Sequence, residues 1–462
     1  MSMRTAEKTT AASPSGHSSR TSRVSAPAPA KRTARTDSAG TLLRVLLREG
    51  PSPRSTLARL SGLSPASVTS HSADLIERGL VTELPGTASR TGMGRPHVPL
   101  DLAPTALVGG LHVALAETTA ALIDLRGRVV AEHRVPHAGA PAETVLVEAA
   151  DALHALATAH APDSGLLGVG LATGGWVDRD AGTVARHPLL GWRDVPATAI
   201  LAGRLTELAQ AECSRTELAQ AERPRTEHRT QARYGKLAGR GSPPIPVHAD
   251  SHTRALIRAE QLFGRLDPRQ SVLALFAGNV VDAAFALGDR VNRGPRSGAG
   301  DVAHWPIPGS RQACECGRNG CLQTALSELR LVEQAIGAGL MEAPTDNSDP
   351  IETLLRTAEA GNAAARELFV ARAELAGRAL APLADFLNPE AVLVVDRGAA
   401  RFDEALAALQ NTLVEHSFLA RTQHLSVIVS SFMDSPLAVA AGTVALDVLY
   451  RDPLAVPRRV AP

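Results

Sequence analysis

The sequence contains no apolar run near the roughly 18 residues that a membrane span requires, and its N-terminus lacks the apolar core of a secretory signal. No membrane association is therefore expected, and the cytoplasm is the default location. Cysteine is scarce: four residues in 462, three of them clustered. That usage does not suit a disulfide framework and points to a reducing interior. A large excess of either charge is also missing, since the formal net charge is +1. Any contact with nucleic acid must then come from a local basic region rather than from the chain as a whole. What the chain has is length and 44% hydrophobic residues, enough to bury the cores of two or three domains.

The chain is organised around residues 300–327, GDVAHWPIPGSRQACECGRNGCLQTALS. Cys314, Cys316 and Cys321 lie within eight residues there, and His304 precedes them. Three thiolates and one imidazole make a closed tetrahedral zinc site. Gly317 and Gly320 fit a tight turn that lets the sulfurs converge. The pattern H-x9-C-x-C-G-x-x-G-C resembles the signature of the ROK family of repressors, open reading frames and sugar kinases. The resemblance covers about 400 residues and implies an actin-like, ribonuclease H-like α/β fold of two lobes, with a sugar site between them.

Residues 1–38 are rich in Ser, Thr, Ala, Pro and Arg with almost no large apolar side chain, and they read as a disordered basic tail. From Thr41 the pattern changes to three short helices separated by glycine turns, the layout of a helix-turn-helix. Ser64 as N-cap and Pro65 at the first helical position start the third helix. Val68, Leu75 and Ile76 share one face of it, which leaves Ser67, Thr69, Ser70 and His71 as candidates for base edges. Val81 to Leu102 reads as two strands around RTGMGRP, a wing whose Arg90 and Arg95 suit phosphates or a minor groove. Residues 39–102 are thus expected to form a winged helix-turn-helix that binds double-stranded operator DNA.

Strands and helices alternate after Pro104. The expected first lobe spans 103–244 and is completed by a closing helix at 435–451; the second lobe spans 245–434 and carries the zinc loop. In the first lobe, residues 106–135 read as a hairpin-linked pair of strands. Residues 206–227 hold a direct repeat, TELAQAECSR then TELAQAERPR, expected as a fraying helix or disordered insertion at about 203–243. Cys213 within it is not expected to bind metal.

The resemblance also fixes where kinase chemistry would sit. Kinases of the family hold ATP on glycine-rich turns, because only glycine lets the main chain approach phosphates closely. The first such turn reads His112 to Ala116 here, the second Gly278 to Asp282, and the later one Asp396, Arg397, Gly398, so acids and glycines are lost or displaced. Asp250 matches the family's general base but is expected only to hold a ligand hydroxyl or cap a helix. Asp301, His304 and Gln323 stand at sugar-facing positions, and Trp192 and Trp305 are stacking candidates whose commoner role is packing. The expected function is a sugar-responsive DNA-binding regulator, a repressor without kinase activity that binds a sugar or sugar phosphate. A homodimer or homotetramer is expected because such regulators act as symmetric oligomers. The alternative is an ATP-dependent sugar kinase carrying a DNA-binding arm.

Overall fold

The computed structural model describes residues 34–84, 98–137, 139–161, 165–221, 244–344, 349–432 and 435–458. The expected tail lies outside the described residues as far as 33. Its last residues do not belong to a tail, because the first helix, α1 (Ala34–Glu49), already includes Asp37 and Ser38.

The N-terminal arm continues with α2 (Arg54–Ser61), α3 (Pro65–Glu77), β1 (Val81–Glu83) and β2 (Leu100–Leu102). Gly62 ends α2 with φ near 70°, a conformation that favours glycine, and the Ser64 hydroxyl accepts from the Ser67 amide to cap α3. Val81 pairs antiparallel with Leu102, which forms the base of a wing; the loop carrying Arg90 and Arg95 lies outside the described residues. Leu42, Leu46, Leu57, Val68, Leu75 and Leu100 share one buried cluster with Leu446, Leu449 and Tyr450 near the chain's end. The arm and the last helix therefore bury one continuous core rather than meeting across a wet interface.

The first lobe contains β3 (Leu107–Val113), β4 (Glu117–Asp124), β5 (Val129–Pro136), α4 (Ala142–His160) and β6 (Val169–Thr173). The small sheet β7 (Trp176–Asp178), β8 (Thr183–His187) and β9 (Trp192–Val195) follows, then α5 (Ala197–Ala221) and β10 (Val247–Ser251). The main sheet has the order β10-β6-β3-β4-β5. Two sequence expectations are corrected here. Residues 107–136 form three strands, not two, and β10 is the edge strand of the first-lobe sheet, parallel to β6, although Ile245 was expected to open the second lobe. The first copy of the repeat lies wholly within α5, whose cysteine, Cys213, is buried; residues 222–243 lie outside the described residues.

The second lobe begins with α6 (His252–Phe263), followed by β11 (Ser271–Ala277), β12 (Val281–Leu287), β13 (Arg290–Val291), α7 (Leu322–Leu326), α8 (Glu328–Gly337), α9 (Pro350–Glu359) and α10 (Ala363–Leu387). It continues with β14 (Ala391–Val395), α11 (Arg397–Arg401), α12 (Asp403–His416), α13 (Phe418–Thr422) and β15 (Ser426–Val429). Its sheet has the order β13-β12-β11-β14-β15. The final helix, α14 (Pro436–Arg451), returns to the first lobe and lies against β3 and β6. Glycines permit that approach: a Cβ on Gly110 would stand 2.7 Å from the Gly442 nitrogen, and one on Gly170 would collide with the Ala441 carbonyl. The result is an actin-like pair of lobes joined by α6 and α14. Among the described residues no helix is long and apolar enough to cross a membrane.

Candidate functional site

Asp250 is the penultimate residue of β10, whose last residue, Ser251, caps α6 and turns the chain into the second lobe. Its carboxylate is buried and occupied. Arg254, one helical turn along α6, reaches Oδ1 at 2.6 Å, Arg179 after β7 reaches Oδ2 at 2.8 Å, and the Ser251 amide donates to Oδ1. Arg293, after β13, lies 3.6 Å from Oδ2. Burial pushes this carboxyl up, but Arg254, Arg179 and Arg293 together pull it down to about 2. A carboxylate so held is a poor proton acceptor. Among the described residues its role is to anchor arginines.

Arg254 also ties the lobes together. Its remaining N–H groups donate to the Ser297 carbonyl at 3.0 Å in the second lobe and to the Val177 carbonyl at 3.0 Å in the first. The facing loop is strained, since Arg296 and Ser297 both have φ above 50°. Trp176 holds it by donating from Nε1 to the Arg296 carbonyl at 2.7 Å, and the Arg179 amide donates to the Ser297 hydroxyl. A second carboxylate, Asp447 of α14, receives Arg258 at 2.8 Å and Arg451 at 2.9 Å, with Arg179 at 3.7 Å. Burial raises Asp447, yet Arg258, Arg451 and Arg179 hold it well below the usual carboxylate range.

Above this network lie buried histidines. His112 stacks on His252 with ring centroids 5.8 Å apart, and His252 meets Phe276 at 4.0 Å. Burial lowers His112 to about 3, with His187 adding to the shift, and lowers His187 to about 4, with His137 adding. These imidazoles are neutral at pH 7.

The three turns that would cradle phosphates in a kinase are closed on protein partners. In the first, the Ala114 amide bonds the Glu117 carbonyl and the His137 amide bonds the Ala116 carbonyl. The second is pinned by Gln323, whose Oε1 accepts from the Val281 amide at 2.8 Å and whose Nε2 donates to the Asn279 carbonyl at 2.5 Å. In the third, Asp396 caps α11 through the Ala399 amide and pairs with Arg372. Gln323, expected to face a sugar, is buried and occupied instead. Asp301 and Trp305 are exposed, and Trp192 is buried in the first-lobe core.

The metal-binding expectation falls on one compact cluster. His304 Nδ1 lies 3.6 Å from Cys314 Sγ, Cys316 Sγ lies 3.5 Å from Cys321 Sγ, and all four donor atoms fall within 4.8 Å of one another. Tetrahedral zinc with Zn–S near 2.3 Å places its sulfurs about 3.8 Å apart, so the donor set fits that ion. Gly317 and Gly320 have φ of 85° and 74°. The Cys314 amide bonds the Arg318 carbonyl and the Gly317 amide bonds the Cys314 carbonyl, closing the knuckle. A Cβ on Gly320 would collide with the Ser310 carbonyl. Because the ring's Nδ1 faces the thiols, His304 has only Nε2 left for any other partner.

In the arm, Ser70 and Thr69 are exposed on α3 and Ser67 is half-buried. His71 is corrected: it is 6% exposed, on the inner face with Val68 and Leu75. It lies three residues after Val68 and four before Leu75, so it belongs to the core stripe and not to the outer face.

A model of the ROK family matches residues 240–447, the span holding Asp250, the metal cluster and α14. Over that span the chain is similar to the ROK family. A transcriptional regulator of Mycobacterium bovis is 29% identical to this chain over 435 residues, covering 91% of it and 87% of the relative. A putative xylose repressor of a Caldicellulosiruptor species is 24% identical over 426 residues, covering 90% and 96%. Among solved structures, a ROK family transcriptional regulator, a homologue of the Escherichia coli Mlc protein, superposes with a TM-score of 0.69 at 20% identity. That alignment covers 91% of this chain and 98% of the other, so the fold is shared by the winged arm as well as both lobes.

The residues that the sequence reading missed are Arg179, Arg254, Arg293 and Asp447. Arg254 was legible four positions after Asp250 at a helix start, as was Arg451 four after Asp447. Arg179 and Arg293 come from distant loops and carried no local signal.

Proposed function

We propose that this chain is a sugar-responsive transcriptional regulator, acting as a repressor, that binds duplex operator DNA through its winged arm and does not phosphorylate sugar. The observation that carries the reading is the placement of α14. One end of this helix contributes Asp447 to the arginine network between the lobes, and three residues later Tyr450 is packed into the core of the arm. At 1.5 Å per residue, a shift of the network reaches the arm within one helical turn. The relatives' names, a transcriptional regulator and a putative xylose repressor, support the same reading.

Duplex DNA meets the exposed face of α3 at Ser70 and Thr69, with Ser67 at its edge, while Arg90 and Arg95 of the wing hold the backbone or minor groove. His304, Cys314, Cys316 and Cys321 hold one structural zinc, which supplies folding energy to the loop. The regulator works in the cytoplasm as a symmetric homodimer or homotetramer on a palindromic site. The alternative of a sugar kinase rests on Asp250 at the general-base position. It is disfavoured because both carboxylate oxygens are taken by arginines and the phosphate turns are closed.

Selection of duplexes from a random pool by the full chain tests the reading. A palindromic consensus is expected, lost on deletion of residues 1–102. Retention of that consensus after the deletion, or ATP-dependent sugar phosphorylation abolished in Asp250→Asn, would overturn it.

A further inference from the structure

The seam between the lobes holds more positive charge than the chain neutralises. Five guanidinium groups, Arg179, Arg254, Arg258, Arg293 and Arg451, converge on two carboxylates, Asp250 and Asp447. The nearby histidines do not add charge, and burial raises Asp282, the next carboxyl inward, to about 7, so it carries only part of a negative charge at pH 7. Asp180, which also acts on Arg179, and Asp301 are exposed. An excess of partly buried guanidinium carries a desolvation cost that an anion would offset.

The arginines differ in what they have left to give. Arg254 spends its N–H groups on Asp250 and three backbone carbonyls, and Arg258 on Asp447, Gln261 and the Asp289 carbonyl. Arg451 gives its second contact to the Asp289 carbonyl. Arg293 differs: its Nε is buried with no hydrogen-bond partner, and the nearest carboxylate is 3.6 Å away. Arg179 satisfies one edge on Asp250 and leaves Nη2 3.7 Å from Asp447. These two side chains keep exposed surface, 16% for Arg179 and 31% for Arg293. Beside them, Asp447 Oδ2 has no hydrogen-bond donor. An oxyanion suits the two guanidinium edges.

We propose that the effector of this regulator is anionic, a phosphate- or carboxylate-bearing polyol of sugar size, with its oxyanion held by Arg179 and Arg293 at the mouth of the interlobe seam. The proposal rests on the sensor reading above and narrows its ligand class. Neutral sugars lack the group that the arginine edges require.

The test is calorimetric titration of the full, zinc-loaded chain with inorganic phosphate, glucose 6-phosphate, gluconate, glucose and xylose. At least one of the anionic polyols is expected to bind ten-fold or more tightly than glucose or xylose, and to weaken as salt is raised. Glucose 6-phosphate and gluconate distinguish a phosphate from a carboxylate source. Arg293→Gln should remove the ten-fold preference and Arg293→Lys should restore part of it, whereas Arg204→Gln, a remote surface change, should leave it intact. Neutral sugars binding as tightly as the anionic ones, no binding by any anionic probe, or a preference that survives Arg293→Gln would each overturn the proposal. DNA selection separates the two claims. A palindrome released only by neutral sugar removes the anionic assignment and keeps the regulator, whereas failure to select any duplex removes the regulator reading itself.

Discussion

The Arg44 guanidinium donates to the Tyr450 carbonyl at 3.0 Å, fastening the first helix of the DNA-binding arm to the last helix of the sensor. Gly40, one turn earlier on α1, makes this approach possible: a Cβ there would stand 2.5 Å from the same carbonyl oxygen. Tyr450 is itself fixed by donating its hydroxyl to the Leu125 carbonyl at 2.6 Å. Beyond α14, Arg458 pairs with Asp74 at 2.9 Å and with Glu77 at 3.1 Å on the helix proposed to enter the major groove. The C-terminal segment therefore holds both α1, through Tyr450, and α3, through Arg458. A rotation of α14 has a direct mechanical route to the helix proposed to read DNA.

Gly40→Ala should separate α1 from α14. Overpacking a close helix contact costs about 1–3 kcal/mol, so thermal unfolding of the arm is expected to shift down, with faster amide exchange in α1. The coupling of effector to operator should weaken more than either binding step alone. Wild-type exchange rates in α1 of the variant would remove α14 as the relay.

On α3, His71 and Ser70 are expected to behave oppositely. His71 is buried with Val68 and Leu75, so His71→Ala should destabilise the arm by about 1–3 kcal/mol and weaken all DNA sequences together. Ser70 is exposed, and its replacement should change base preference while leaving the unfolding free energy within about 0.5 kcal/mol of wild type. A changed consensus in a stable His71 variant would contradict the buried assignment.

The metal cluster was legible because its whole geometry is local: four ligands within one short stretch, with glycines at the turn positions the backbone needs. The helix-turn-helix was legible for a similar reason, since caps and turns are properties of neighbouring residues. His71 was misassigned although its spacing from Val68 and Leu75 placed it on the inner stripe; its polarity was weighed above its position. The saturation of Asp250 was half legible, because Arg254 lies one turn along the same helix, but Arg179 is 71 residues upstream. Such convergence depends on how the lobes close, which periodicity does not encode. The place of β10 was hidden in the same way, since a strand's own residues do not say which lobe's sheet it joins.

Zinc removal should act through the second lobe. Cys316→Ser or a strong chelator is expected to release one zinc per chain and lower the melting temperature of that lobe. The effect should extend to the β11–β12 turn, because Gln323, two residues after Cys321, pins it through Asn279 and Val281. Gly320→Ala should mimic the loss, since its Cβ would collide with the Ser310 carbonyl at a φ of 74°. Elemental analysis finding no stoichiometric zinc in purified wild-type protein would end this account.

Acidification should destabilise the protein well before its paired carboxylates protonate. Burial holds His112 at about 3 and His187 at about 4, and it drives His252 well below its ordinary value, whereas all three return to about 6.5 on unfolding. As pH falls below 6.5 the unfolded chain takes up protons that the folded chain refuses, so the stability present above 6.5 is progressively lost toward pH 4. Asp282 works in the opposite direction. Burial raises it from 3.8 to about 7, so the folded chain keeps a proton there that the unfolded chain releases, and this contribution is lost as pH rises toward 7. Asp250, held at about 2, matters only below 3.8. Three histidines against one carboxyl leave a net loss on acidification, and each uncompensated proton amounts to about 1.4 kcal/mol per pH unit at most. Urea midpoints measured from pH 7.5 to 4.5 should fall accordingly. Asp282→Asn removes the opposing group and should make the fall steeper, while His252→Asn should make it shallower; a profile unchanged by both would show that these buried groups do not govern the acid limit.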